Sequence, residues 1–110
     1  MSTMFKWKPK VEKPPYFVPT MKEIMEVPLN GYNVVSTFSG CGGSCLGFRR
    51  AGFETKWATE FIPAAVDTYR ANFPEVHVYD EDIRRLDSDD IKNAVGDVDV
   101  LEGSPPCAAF

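Results

Sequence analysis

The sequence predicts an α/β fold, the first half of a doubly wound sheet of about four parallel strands joined by crossover helices. Three observations predict it. Short, β-branched apolar runs alternate with segments whose apolar residues recur at helical spacing. The runs begin about every 20 residues, the rhythm of βαβ units. The first run ends in a turn with three glycines in four positions, Gly40 to Gly43.

Residues 1–30 are read as an N-terminal arm. Pro9, Pro14, Pro15, Pro19 and Pro28 break any long regular element. Phe5, Trp7, Tyr16 and Phe17 point to partial packing, and Met21–Glu26 to a short helix. An extended arm lying on the domain surface is favoured over a basic, aromatic nucleic-acid tail. Residues 31–110 form the partial domain. Asn33–Thr37 reads as a buried strand, and Ser44–Ala51 as a helix with Cys45, Leu46 and Phe48 inward. Lys56–Thr59 is the second strand. Pro63–Phe73 is a helix with proline in its first turn and Val66, Tyr69 and Phe73 on one face. Val76–Tyr79 is the third strand. Ser88–Ala94 is a helix capped by Asp87, and Val98–Leu101 is the fourth strand. Right-handed crossovers then leave any ligand beyond the carboxyl ends of the strands.

The 110 residues allow one small domain. No apolar run approaches the roughly 18 residues of a membrane span, and the lysines at the N-terminus precede no secretory apolar core. Three cysteines leave one unpaired in any disulfide scheme, which favours a reducing, cytoplasmic setting. The net charge of −4 disfavours a self-sufficient DNA-binding surface, since duplex affinity rests on Lys and Arg at phosphates. Any DNA contacts are expected to come mostly from other sequence.

Each strand end carries chemistry. Phe38-Ser39-Gly40-Cys41-Gly42-Gly43 permits a tight turn and close approach of a ligand, with helix N–H groups offered beyond it. Glu60 stands 20 residues after Gly40, where a carboxylate can accept both hydroxyls of a ribose. Asp80-Glu81-Asp82-Ile83 combines a carboxylate for an adenine amino group with an apolar neighbour for its ring, although acidic turns are common. These features fit several nucleoside cofactors. Gly103-Ser104-Pro105-Pro106-Cys107 narrows the choice: two prolines restrict the backbone before a cysteine, as a nucleophilic thiol requires and a nicotinamide dehydrogenase does not. Cys41, Cys45 and Cys107 lack paired knuckles, and no metal site is expected.

The stretch Ser36–Gly43 through Ala51-Gly52-Phe53 resembles the first signature motif of DNA (cytosine-5) methyltransferases, and Gly103–Phe110 is similar to their Pro-Cys catalytic motif. The resemblance covers about residues 32–110. It implies a Rossmann-like sheet binding S-adenosylmethionine, with S-adenosylhomocysteine as product. Phe38 would pack on the adenine, and the backbone around Gly40–Gly43 would line the methionine part, with Ser39, Cys41 and Ser104 in the same cofactor-binding set. Glu60 would hold the ribose hydroxyls. Phe61 or Ile62 would flank the base. Asp82 would accept from the adenine amino group, with Ile83 beside it. Cys107 would attack C6 of a cytosine flipped out of duplex DNA. A bacterial or phage restriction-modification setting is implied, with no membrane partner. Two departures stand out: Ser36 where many members have Asp, and Ala108 where Gln is frequent.

The family's later Glu-Asn-Val motif, its Arg-containing motif and its target-recognition region do not occur in the chain, so the domain is read as truncated after the Pro-Cys motif. Little turnover is expected of the chain alone, and the fourth strand is expected to present an open edge. A truncated product, one half of a split enzyme completed by a complementary chain, and a non-catalytic nucleotide-binding module are the alternatives.

Overall fold

The computed structural model describes residues 14–107. Elements follow in the order α1 (Met21–Met25), β1 (Asn33–Thr37), α2 (Gly43–Arg50), β2 (Glu54–Thr59), α3 (Pro63–Asn72), β3 (His77–Tyr79), a 3-10 turn (Ile83–Arg85), α4 (Ser88–Val95) and β4 (Val100–Gly103). The four strands form one parallel sheet in the order β3-β2-β1-β4. The chain steps from β1 outward to β3, then returns to the far side of β1. Right-handed crossovers therefore place α2 and α3 on one face and α4 on the other. No described helix is long and apolar enough to cross a membrane.

β1 is central, and Val34, Val35 and Ser36 are all buried. Coverage of both faces explains a continuous apolar run rather than alternation. The pairing of β1 with β2 slips between Val34 and Val35, passing from Thr55 directly to Trp57. Lys56 is thereby left out, and its ammonium pairs with Glu54 at 2.6 Å. Beyond the slip, Ala58 and Val78 point to the α2/α3 side, where they pack with Cys45, Val66, Tyr69, Phe73 and Val76. The helical face predicted for Val66, Tyr69 and Phe73 is thus the face that seals the core.

α1 is short and relies on its ends. Thr20 and Glu23 form a reciprocal capping box. At the other end the buried Arg49 of α2 donates to the carbonyls of Met25 at 2.6 Å and Val27 at 2.8 Å. Those carbonyls would otherwise lack partners at a helix end. Ile24 is buried in the same contact, so residues 20–30 fold onto α2.

Several expectations need correction. Tyr16 and Phe17 are 92% and 68% exposed and do not anchor the arm; Phe5 and Trp7 lie outside the described residues. β2 starts earlier than predicted, at Glu54, and β3 starts at His77. β4 begins at Val100 rather than Val98. The cause is side-chain pairing at its entrance. Asn33 donates its amide to the Asp97 carbonyl (2.7 Å) and accepts from the Asp99 N–H (2.9 Å), while Asp99 accepts the Asn33 N–H (2.9 Å). The ladder takes over only afterwards, as Val34 pairs with Val100.

Candidate functional site

Because the strands are parallel, all four carboxyl ends meet at one rim. A cleft of about 390 Å³ opens there, within the range of small-molecule sites. It is lined by Phe38 after β1, Thr59, Glu60 and Phe61 at the end of β2, Glu81, Asp82, Ile83 and Arg84 after β3, and Pro105 after β4.

The turn after β1 is built under constraint. Phe38 has φ 51°, the one positive φ at a non-glycine among the described residues. Such a conformation costs on the order of 1–3 kcal/mol and persists only where surroundings enforce it. Here Thr59 enforces it, accepting the Phe38 N–H on its hydroxyl (3.3 Å) and the Ser39 N–H on its carbonyl (2.9 Å). Gly42 follows at φ 100°. A Cβ at this position would lie 2.8 Å from Phe73 Cε2 and 3.0 Å from Tyr69 Cδ2. Only glycine meets both the backbone demand and the close approach of α3.

Glu60 is partly buried, and three backbone amides converge on its carboxylate. Oε1 accepts from Gly40 N (2.9 Å), and Oε2 accepts from Phe61 N (2.9 Å) and Ile62 N (3.1 Å). A carboxylate has about four acceptor sites, so some capacity still faces the cleft. Asp82 caps the 3-10 turn. It accepts the Arg84 backbone N–H at 2.9 Å and holds the guanidinium through Nε and Nη2, the latter at 2.6 Å. The Arg84 side chain, then its backbone N–H, bring the Asp82 carboxyl down to about 2.

β4 delivers the cysteine. Gly103 pairs with Thr37 so closely that a Cβ there would collide with the threonine hydroxyl. That hydroxyl donates to the Glu102 carbonyl (3.1 Å), fixing the end of β4 to the end of β1. Ser104, Pro105, Pro106 and Cys107 then run exposed along the rim.

The structure therefore brings Phe38, Glu60, Phe61, Asp82 and Ile83 around one cleft. Ser39 and Gly40 adjoin it through Thr59 and Glu60. Cys41, Gly42, Gly43 and Ser104 do not line it, and Cys107 lies two residues past Pro105, which does. Sequence reasoning missed Thr59 and Arg84, and named Pro105 only for restricting the backbone before Cys107. Arg84 had a readable signal, a cation two residues after a carboxylate; Thr59 had none, because its role depends on the pairing of two strands.

Comparison with known proteins follows the same boundaries. Residues 32–110 match the C-5 cytosine-specific DNA methylase family. Type II methyltransferase M.DdeI of Desulfomicrobium norvegicum is 45% identical over 78 residues, covering 71% of this chain and 19% of the relative. Type II methyltransferase M1.HphI of Haemophilus parahaemolyticus is 44% identical over 78 residues, 69% of this chain and 21% of the relative. The chain thus spans about a fifth of the length of these relatives. A crystal structure described as a DNA modification methyltransferase encoded within an Escherichia coli prophage superposes with a TM-score of 0.64 at 39% identity, covering 70% of this chain and 23% of that one. The four-stranded parallel sheet matches the N-terminal part of such methyltransferase structures, and the chain belongs to the C-5 cytosine-specific DNA methylase family.

Proposed function

We propose that this chain is the cofactor-binding and nucleophile-bearing part of a DNA (cytosine-5) methyltransferase. The observation that carries the reading is the meeting of Phe38, Glu60, Asp82 and Pro105 around one cleft, with Cys107 on the same rim. The donor set fits an adenosine: an aromatic face at Phe38, spare acceptor capacity on Glu60 for ribose hydroxyls, and a carboxylate at Asp82 for an exocyclic amino group. In this reading the methionine end would be held beyond the cleft lining, by Ser39, the backbone of Gly40, Cys41, Gly42 and Gly43, and Ser104. S-adenosylmethionine, the cofactor of this family, supplies an electrophilic methyl group when bound.

The chain's own chemistry is covalent activation of the base. C5 of cytosine is a weak nucleophile. The Cys107 thiolate bonds to C6, the C5–C6 π pair moves onto C5, and C5 becomes enamine-like. The target base must first leave the helical stack, at a cost of a few kcal/mol. Pro105 and Pro106 limit the backbone that presents the thiol. Proton transfers at N3 and C5, and most DNA contacts, fall to groups outside the chain, consistent with its net charge of −4.

Among the described residues β4 pairs only with β1, and Leu101 on it is 70% exposed. This bare edge favours completion of the sheet by further methyltransferase sequence or a complementary chain. The reading also places the protein in a bacterial or phage-encoded cytoplasmic setting.

The test is trapping on duplex DNA carrying 5-fluorocytosine in the presence of S-adenosylmethionine. The native protein, with whatever completes its domain, should form a covalent adduct, and Cys107→Ser should abolish it. An adduct that survived the substitution would remove Cys107 from the role. Cofactor binding without any adduct would favour a non-catalytic nucleotide-binding module.

A further inference from the structure

Ser36 and Glu102 are register partners on β1 and β4. Ser36 is completely buried, and its hydroxyl donates to Glu102 Oε1. A hydroxyl has one proton to give. With it committed to Glu102, Ser36 Oγ serves as acceptor for the Ser39 hydroxyl at 2.8 Å, and the Ser36 carbonyl is a second acceptor for the same hydroxyl at 3.2 Å, so both contacts tie Ser39 to Ser36. Ser39 opens the glycine turn, and its N–H is fixed to Thr59. An ordered relay therefore runs from a carboxylate on the strand that leads to Cys107, through Ser36, to the turn beside the cleft. Position 36 is also where the resemblance has Asp in many members, and here it holds a hydroxyl. A carboxylate instead reaches the Ser36 hydroxyl from the neighbouring strand, 66 residues away.

We propose that Glu102 is a positioning residue that supplies from β4 the carboxylate absent at position 36, and through Ser36 and Ser39 locks the glycine turn to the strand carrying Cys107. Its consequence for cofactor binding rests on the methyltransferase reading. The lock itself does not.

Moving the carboxylate between strands tests this in the native protein. Two quantities are read: hydrogen exchange at the Ser39 and Gly42 amides, and S-adenosylmethionine affinity by calorimetry. Glu102→Ala should raise exchange at both amides roughly tenfold and weaken the cofactor by a similar factor, the usual scale for a hydrogen bond to a charged group. Ser36→Asp alone should do the same, because it sets two carboxylates against each other. The exchange Ser36→Asp with Glu102→Ser returns one carboxylate and one hydroxyl to the site, and should restore both quantities to within about threefold of the parent. A residue that merely fills space would not be rescued by exchanging charge between strands. Unchanged amide exchange in Glu102→Ala, or a double variant as impaired as either single one, would overturn the proposal. If the parent binds no S-adenosylmethionine, the methyltransferase reading fails, while the exchange rates still decide the role of Glu102.

Discussion

The Glu60 carboxylate receives the Gly40 amide at 2.9 Å, tying the glycine turn after β1 to the end of β2. Two further amides, from Phe61 and Ile62, share the same carboxylate. Glu60 is therefore a structural acceptor before any ligand arrives. Glu60→Ala should leave these donors unpaired and cost about 1–3 kcal/mol of stability in urea unfolding. Under the proposed function it should also abolish measurable S-adenosylmethionine binding. Cofactor affinity within twofold of the parent would remove Glu60 from the site.

Gly42 meets α3 in a left-handed conformation. Gly42→Ala must strain the backbone and push into Phe73 and Tyr69, whose rings are packed in the core. A loss of roughly 1–3 kcal/mol is expected, read as a lowered Tm. Gly40→Ala provides the contrast, since nothing stands within 4 Å of a Cβ there. Its penalty should come from the positive φ alone and be smaller.

Arg49 should matter more than its surface-type chemistry implies. Arg49→Met keeps much of the buried stem and removes both bonds to the Met25 and Val27 carbonyls. The helix should detach locally, with faster exchange of the Ile24 and Glu26 amides and earlier proteolysis between residues 20 and 30. A cost of about 2 kcal/mol is expected. Unchanged exchange at Ile24 would show that apolar packing alone holds α1.

Asp82 supplies a pH test. Its folded value is about 2, below the ordinary 3.8, because Arg84 bonds the ionised form. A depressed carboxyl stabilises the fold above its ordinary value, and that contribution fades as pH falls from 3.8 toward 2. A carboxyl-detected NMR titration should find Asp82 near 2, and Arg84→Ala should return it toward 3.8. A midpoint that ignores Arg84 would show the ion pair to be absent in solution.

The location of elements was readable because their signals are local. Asn33–Thr37 and the face of Val66, Tyr69 and Phe73 matched, since strand and helix periods are set by near neighbours. Thr20-Met21-Lys22-Glu23 also carries a capping-box signature that is local in sequence. β4 starts two residues later than its apolar run because Asp97 and Asp99 pair with Asn33, a partner far away in sequence.

The candidate site divides in the same way. The order of the glycine turn, Glu60, Asp82 and the Pro-Pro-Cys run carried the resemblance to the family, and the strand rhythm of about 20 residues carried the sheet. Tertiary structure decided which atoms those residues hold. It alone set Thr59 beneath Phe38, Arg84 on Asp82, and the Glu102 carboxylate beside Ser36. A hydrogen bond requires two groups within about 3 Å. Motif spacing names the groups along the chain, but only the pairing of β1 with β2 and β4 brings them within that distance.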